Sequence, residues 1–330
     1  MTLLPDANLE PSSIPPAWER EPEKVLAAVM QSIAAAPQSV TLYALAAGLL
    51  TRLGRRDEAA SLIETAQNAY PDLPLYRDKD FRLLQRRAQD RGLPAVLLST
   101  QFKSGSVYIA STLRQGLGLP HCYVTRTPID ERIVPAWLDL FAKGGALAQE
   151  HLAAGTEAFD QLIRAGIGRM VAHIRDPRQS LLSAVHYRAG LFNATTAGAL
   201  VARAGLPDDY AGWSLARRLD HYLDDGYAAQ VEWTAGWLAA ARTPPAGLDV
   251  LLLDYGLLHD DPVDYFRRLL QFYGIAETAF DGSVLAGRPA PGTMHFRTGT
   301  TDEWRKSLNP EQQRRASAML PAIVADYFGA

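Results

Sequence analysis

Residues 95–117 read AVLLSTQFKSGSVYIASTLRQGL. A short apolar run of strand length comes first, a polar loop with a lysine and a glycine follows, and a helical pattern completes the unit. The same order recurs at RMVAHIR before DPRQSLLSAVHYRAGLF and at LDVLLLDY before DDPVDYFRRLLQFYG. Repeated strand–loop–helix units predict an α/β fold, in which a parallel sheet is flanked by helices. Ligands bind such sheets at the carboxyl ends of the strands, where these loops lie.

Residues 1–92 have a different pattern, and we expect them to form a small all-α region before an α/β domain of residues 93–330. The pattern from residue 18 to residue 91 is helical and rich in alanine and leucine. Seven residues follow the spacing of a tetratricopeptide repeat, namely Tyr43, Ala47, Leu50, Ala59, Ile63, Ala66 and Pro71. Such a helical repeat predicts either a surface that binds a protein partner or a cap that stabilises the α/β domain.

The composition excludes two classes of function. The 330 residues carry a formal net charge of -3, from 33 basic and 36 acidic side chains. Proteins that wrap the phosphates of a nucleic acid are normally basic, so we expect no nucleic-acid partner. The single cysteine, Cys122, excludes a disulfide framework and any multi-cysteine metal site. The seven histidines have no recognisable ligand spacing, and we therefore expect no metal.

The amino terminus and the apolar runs predict the location of the protein. The first residues, MTLLPDANLEPSSIPP, lack the basic region that opens a signal peptide. The longest apolar run, residues 40–50, is too short for a transmembrane helix of about 20 residues. We therefore expect a cytoplasmic protein with no membrane anchor.

The loop after the first predicted strand has the chemistry of an anion site. Lys103, Ser104, Gly105 and Ser106 lie between a strand and a helix. Backbone N–H groups and the positive end of a helix meet an anion there, and the lysine adds a full charge. The loop is not a Walker A loop, since GxxxxGK[ST] is absent, and it therefore does not indicate Mg²⁺-dependent nucleotide hydrolysis.

Two further passages have the same character. Arg175 ends a predicted strand, and Asp176 before Pro177 suits the start of a helix on which Ser183 lies two turns along. Near the carboxyl end, FRTG places Arg297 beside a glycine-containing turn, and an arginine fork with exposed N–H groups suits a phosphate. Three separate passages thus favour the binding of a ligand with several phosphates.

Together the three passages resemble the signatures of sulfotransferases that use 3′-phosphoadenylyl sulfate (PAPS), and we take the chain to be of the bacterial type. The matching motifs are KSGS after the first strand, RDPRxxxxS in the middle and RxGxxxxW near the end. LDYGLLHDDP and the pair Trp233 and Trp237 also match that family, so the resemblance covers about residues 93–328. It implies PAPS as the co-substrate, a P-loop-like phosphosulfate-binding loop and no metal.

The resemblance also implies a role for each matching residue. The first loop would bind the 5′-phosphosulfate end, through Lys103, Ser104, Gly105, Ser106 and Val107. The 3′-phosphate would be bound by Arg175 and Ser183, and the late loop with Arg297 and Gly299 would close over the nucleotide. The chain departs from the family at Val107, where a threonine is usual, and at Thr298, where a lysine is usual.

The resemblance places the catalytic base after a strand, at Gln149-Glu150-His151-Leu152. His151 is our candidate, because a neutral imidazole can take a hydroxyl proton near neutral pH. Glu150 is the rival base, since some members that act on carbohydrates use a glutamate. Adjacent side chains of a strand point to opposite faces, so we expect only one of the two to face the substrate. The alternative is that both His151 and Glu150 are ordinary polar residues of a loop with no catalytic role.

These roles predict an enzyme that moves a sulfuryl group to a hydroxyl, or less favourably an amine, by in-line displacement. The acceptor would be a small molecule, a carbohydrate or a lipid, under a lid formed by residues 195–230. Two alternatives stay open. One is a metal-dependent nucleotide kinase or NTPase, and the other is an interaction protein of the tetratricopeptide-repeat type with an inactive nucleotide-binding domain.

Overall fold

The structure is a computed structural model, and it describes part of the chain. The described residues are 22–35, 37, scattered positions between 42 and 65, 81–125, 133–191, 206–207, 209–286 and 299–329. The chain forms two compact units. The first comprises Met1–Leu73 with His186–Trp213, and the second comprises Pro74–Val185 with Ser214–Ala330.

A sheet of parallel strands lies in the second unit. Its strands are β1 (Ala95–Thr100), β2 (His121–Cys122), β3 (Ala146–Glu150), β4 (Arg169–Ile174) and β5 (Asp249–Asp254). Within the described residues the sheet has five strands in the order β2-β3-β1-β4-β5, and every neighbouring pair is parallel. The predicted α/β class is confirmed. With β1 central, the carboxyl ends of β1, β3 and β4 lie side by side at one edge of the sheet.

Helices connect and cover the strands. In chain order they are α1 (Pro22–Ala35), α2 (Phe81–Asp90), α3 (Ser106–Leu117), α4 (Pro135–Phe141), α5 (Thr156–Arg164), α6 (Pro177–Leu191), α7 (Leu215–Asp225), α8 (Tyr227–Arg242), α9 (Tyr255–Asp260), α10 (Pro262–Tyr273), α11 (Trp304–Ser307), α12 (Pro310–Ala318) and α13 (Ala322–Phe328). Short 3₁₀ helices lie at Tyr210–Gly212, Glu277–Ala279 and Gly282–Ala286.

The central strands are buried on both faces, which is why their sequences are continuous apolar runs. On one face, Val96 and Leu98 of β1 pack in a core to which α10 contributes Tyr265 and Leu269. On the other face, residues of β1 and β4 pack in a second core with Trp237 of α8. The strands therefore hold the loops at their carboxyl ends on a rigid base.

Helix α2 has one side that packs on the sheet and one side that is exposed. Phe81 and Ala88 pack in the two cores of the sheet, although the sequence pattern groups them with the amino-terminal region. Gln85 is buried, and its amide nitrogen donates to the carbonyl oxygens of Leu140 and Gly144, each at 3.1 Å. The arginines of this helix, Arg82, Arg86 and Arg87, are exposed, so this side of the helix faces solvent.

The described residues of the first unit include a small core of their own. Leu26, Val29 and Ile33 of α1 pack there with Leu50 and Ala59. Of the seven residues that carry the repeat pattern, Tyr43 is also packed at this core. Leu50 and Ala59 of this core also belong to the repeat pattern. The remaining four repeat residues, Ala47, Ile63, Ala66 and Pro71, lie outside the described residues. The repeat and the domain boundary at residue 92 remain predictions.

Two absences among the described residues concern membranes and metals. Over the part of the chain that the structure describes, no helix combines the length and the apolar character needed to cross a membrane. The same residues contain no group of three or more histidine, cysteine, aspartate or glutamate side chains that could hold a metal ion.

Candidate active site

The loop between β1 and α3 has a backbone that only certain residues adopt readily. Gly105 lies at φ 94°, in the left-handed region, directly before α3. Lys103 also has a positive φ of 63°. The positive φ favours glycine at residue 105, because residues with a Cβ atom rarely adopt it; a Cβ atom there would make ordinary van der Waals contact with the ring of Tyr255, at 3.4 Å.

The carbonyl groups of this loop are held by the protein. Gln101 O accepts from the backbone N–H of Ser104 at 3.2 Å and from the Ser104 hydroxyl at 2.6 Å. Lys103 O accepts from Arg175 Nη1 at 2.9 Å, and Ser104 O lies 2.8 Å from His173 Nε2. The predicted binding residue Ser104 is fully buried, so its hydroxyl is used within the loop.

The amide groups at the start of α3 form the other side of the loop. Ser106 and Val107 are its first two residues, and N–H groups in the first turn of a helix have no partner within the helix. Val107 is 40% exposed. Together with the positive end of the helix, these N–H groups make a site for an anion.

Lys103 adds a positive charge that its buried surroundings disfavour. Burial lowers its pKa to about 8, and the nearby positive charge of Arg175 contributes to that lowering. An anionic group beside the lysine would oppose both effects, because it stabilises the protonated amine. A site in which this loop and the end of β4 bring two cations together is therefore suited to an anion.

Arg175 joins the first and third sequence motifs. Its backbone N–H donates to the side-chain oxygen of Gln101 at 2.6 Å. Its guanidinium donates from Nη1 to Lys103 O and from Nη2 to Thr300 O, the latter at 2.6 Å. The structure therefore brings Lys103, Arg175 and the segment at Gly299 and Thr300 together, as a common binding site requires. Arg297 and Thr298 lie outside the described residues.

Tyr255, which the sequence analysis did not single out, contacts all three motifs. The Arg175 guanidinium carbon lies 3.9 Å from the centre of the tyrosine ring, a cation–π geometry. The tyrosine hydroxyl donates to Gly299 O at 3.0 Å, and the ring lies beside Gly105, 3.4 Å from the position of a Cβ atom on that residue. Its position directly after β5, at the carboxyl edge of the sheet, is the signal that could have identified it.

The start of α6 confirms the predicted cap and shows a further ion pair. Asp176 accepts from the backbone N–H of Arg178 at 2.9 Å, with Pro177 as the first helical residue. The buried Arg178 guanidinium also pairs with Asp176, with Nη2 at 2.8 Å from Oδ2, and lies 4.3 Å from the Trp304 ring centre. This pair fixes the helix start, whereas Ser183 is half-buried in the second turn.

His151 follows β3 and contacts the end of β1. Its Nδ1 lies 2.6 Å from the carbonyl oxygen of Thr100, which can only accept, so we assign the proton to Nδ1. Nε2 then carries a lone pair and can accept a proton. Burial lowers the pKa of this histidine, the Thr100 bond opposes that shift, and the Lys103 charge lowers the pKa further. The imidazole is thus held neutral, in the tautomer a base at Nε2 needs.

Neighbouring residues fix the backbone around His151. Trp233 Nε1 donates to His151 O at 3.0 Å, and Trp237 Nε1 donates to Leu152 O at 2.8 Å. The Phe102 ring lies edge-on to the imidazole, with centroids 6.0 Å apart. The two tryptophans of the predicted pair therefore support the strand end that carries the candidate base.

The side chain of Glu150 is engaged elsewhere. Oε1 accepts from the backbone N–H of Val124 at 2.6 Å, and Oε2 accepts from the Thr125 hydroxyl at 2.7 Å. The residue is 1% exposed. Gln149 directs its amide to the Thr100 hydroxyl at 2.9 Å. Glu150 therefore anchors the turn after β2, whereas His151 contacts the strand that leads to the anion-binding loop.

His173 is a fully buried histidine. It lies on β4 with Nε2 toward Ser104 O and with Nδ1 3.0 Å from the Tyr265 hydroxyl. Burial lowers its pKa to about 4. Its contact with the loop was not predicted.

The chain was compared with known families, curated proteins and solved structures. No protein-family model and no curated protein matches the sequence. Among solved structures, a mouse sulfotransferase, SULT7A1 complexed with PAP, is similar with 16% sequence identity and a TM-score of 0.49. The likeness covers 68% of this chain and 82% of that chain. A likeness of this size does not extend to activity.

Proposed function

We propose that the chain is a sulfotransferase that moves a sulfuryl group from PAPS to a hydroxyl acceptor. One observation carries the proposal. His151 Nδ1 bonds to the carbonyl of Thr100, the last residue of β1, and Lys103 follows three residues later. A neutral base and a cationic anion-binding loop therefore share the carboxyl end of one strand.

The proposed reaction is an in-line displacement at sulfur. The acceptor hydroxyl gives its proton to His151 Nε2 as its oxygen forms a bond to sulfur, and the bond from sulfur to the 5′-phosphate oxygen breaks. Lys103 compensates the charge that develops on that leaving oxygen, and the N–H groups of Ser106 and Val107 hold the phosphosulfate end. Adenosine 3′,5′-bisphosphate (PAP) leaves. Most of the rate enhancement comes from positioning and electrostatic stabilisation.

The 3′-phosphate is proposed to bind at Arg175 and Ser183, with Arg297 and Gly299 of the late loop closing over it. Arg175 supports this role because its guanidinium already links the phosphate loop to Thr300. The proposed class of acceptor, a hydroxyl compound, follows from the assignment of His151 as the base. A hydroxyl on a small molecule, a carbohydrate or a lipid presents the proton that Nε2 can remove.

Calorimetry tests the nucleotide site. PAP and 5′-AMP, which lacks the 3′-phosphate, would be titrated in EDTA into the wild type and into Arg175→Ala. We expect the wild type to prefer PAP and the variant to lose that preference, since a charge-assisted contact is removed. Arg169→Ala is the matched control, because it removes an exposed arginine at the opposite end of β4. Equal binding of the two nucleotides by the wild type, or none, would contradict the proposal.

A further inference from the structure

The contact between His173 and Ser104 orients one peptide group of the anion-binding loop. The carbonyl of Ser104 and the N–H of Gly105 belong to the same planar trans peptide, so they point in opposite directions. Ser104 O is directed at His173 Nε2, at 2.8 Å, in the buried interior. The Gly105 N–H therefore points away from β4, on the side where α3 begins.

Hydrogen bonding assigns the tautomer of His173. A carbonyl oxygen only accepts, so Nε2 carries the proton that it donates to Ser104 O. The second ring nitrogen, Nδ1, then accepts from the Tyr265 hydroxyl at 3.0 Å. Both His173 and Tyr265 are 0% exposed, so bulk water does not supply an alternative partner for either ring nitrogen.

We propose that His173 is a positioning residue for the anion-binding loop, and that Tyr265 fixes its tautomer. Tyr265 donates to His173, His173 donates to the Ser104 carbonyl, and the Gly105 N–H is thereby aimed outward at the anion. As a positioning residue for PAPS, His173 rests on the function proposed above; its effect on the loop itself does not.

Charged groups lie near the hydrogen bond between His173 and Ser104. Arg175 holds the preceding carbonyl, Lys103 O, and Asp254 at the end of the neighbouring strand raises the pKa of His173 while Arg175 lowers it. Arg175 and His173 therefore act on different peptide groups of the loop. Arg175 fixes the peptide that joins Lys103 to Ser104, and His173 fixes the next one.

Three variants and one control separate positioning from packing. His173→Phe keeps a flat ring but removes the donor to Ser104 O. His173→Gln places a side-chain N–H near the position of Nε2 and is the rescue variant. Tyr265→Phe removes the donor to Nδ1. Val171→Ala is the control, because Val171 lies on the same strand and face, two residues before His173, and its side chain packs in the apolar core.

Two readouts are measured on the full chain. The first is hydrogen exchange, without ligand, at the amides of Ser104 and Ile109, which bond to Gln101 O and Gly105 O. The second is the dissociation constant of PAP. We expect His173→Phe to speed exchange and to weaken PAP binding by about tenfold, since one buried hydrogen bond is lost. His173→Gln stays within about threefold of the wild type, and Tyr265→Phe shows an intermediate loss.

Wild-type exchange and affinity in His173→Phe would overturn the inference, as would equal effects of His173→Phe and His173→Gln. If His173→Phe does not fold, the order of His173→Gln and Tyr265→Phe decides, because the reverse order contradicts the assigned hydrogen bonds. Val171→Ala is expected to lose thermal stability only, and accelerated loop exchange in this control would assign the effect to packing. A wild type that does not bind PAP overturns the proposed function, while the exchange measurement still tests His173.

Discussion

At the scale of single residues, the candidate base is defined by one hydrogen bond. The Thr100 carbonyl fixes the Nδ1 proton of His151, so the proton acceptor is Nε2. From the sequence we favoured His151 as the candidate base, with Glu150 as the rival. The engagement of Glu150 could not be predicted, because it depends on Val124 and Thr125, which bind Glu150 from 26 and 25 positions away in the chain.

The first prediction concerns these two residues. His151→Ala should lower kcat by about 10²- to 10⁴-fold, because the group that accepts the proton is removed. The affinity for PAP should change little. Glu150→Gln is the comparison, since it keeps the side-chain shape and should affect thermal stability more than kcat. Steady-state kinetics with PAPS and a hydroxyl acceptor give the measurement, and a large loss of kcat in Glu150→Gln alone would reverse the assignment.

The second prediction is a pH dependence of nucleotide binding. Burial lowers the pKa of Lys103 to about 8, so the free protein carries a charged lysine below pH 8 and loses that charge above it. A bound anion favours the charged form and raises this pKa, so binding takes up a proton near pH 8. Affinity for PAP should be highest below pH 8 and fall as pH rises, by up to about tenfold per unit.

Calorimetry in two buffers of different ionisation enthalpy measures that proton uptake directly. Lys103→Arg is the control, since arginine stays charged over this pH range and should remove the dependence. An affinity for PAP that is constant from about pH 7 to about pH 9 in the wild type would show that Lys103 does not face the anion.

At the scale of the elements, the anion-binding loop depends on partners that are distant in sequence. The strand, the loop and the helix start could all be predicted from residues 95–117, because periodicity and loop composition are local. The contacts that Tyr255 and His173 make with Gly105 and Ser104 could not, since they form only through the strand order β2-β3-β1-β4-β5. That order is a property of the folded sheet and leaves no local signal in the chain.

The third prediction uses two glycines of the second unit. Gly105→Ala and Gly166→Ala both place a side chain at a positive φ, 94° and 81°. Each should cost about 1–2 kcal/mol of stability. Gly105→Ala should also weaken PAP binding, by about tenfold, because relief of the strain at φ 94° would shift the N–H groups of the anion-binding loop. A Cβ at residue 166 would meet no neighbouring atom within 4 Å, so nucleotide affinity should be unchanged in Gly166→Ala.

Thermal unfolding and PAP titration of the two variants give the result. A parallel loss of affinity in both would mean that general stability, and not the loop, controls binding.

At the scale of the whole molecule, the charges are balanced and the positive groups of the candidate site are concentrated at one edge of the sheet. The chain as a whole is slightly acidic, with a net charge of -3. The affinity for an anion must therefore come from local groups such as Lys103, Arg175 and the start of α3. The sequence predicted this arrangement through three separate motifs, which meet in the described structure around Arg175.

The fourth prediction separates sulfuryl transfer from the metal-dependent alternative. Neither PAP binding nor turnover should change when EDTA removes divalent ions, because Lys103 and backbone N–H groups supply the charge compensation in the proposed site. A kinase or NTPase of the P-loop kind would lose activity, since it uses Mg²⁺ to neutralise the phosphates. Activity that appears only with Mg²⁺ would favour that alternative.

A crystal structure of the chain with PAP bound would test the proposed site at the level of atoms. We expect the 5′-phosphate at the N–H groups of Gly105, Ser106 and Val107, with Lys103 against it. We also expect the 3′-phosphate at Arg175, and His151 Nε2 facing the free side of the 5′-phosphate, where the sulfuryl group would lie. PAP bound away from this loop, or its 3′-phosphate bound without Arg175, would contradict the proposed function.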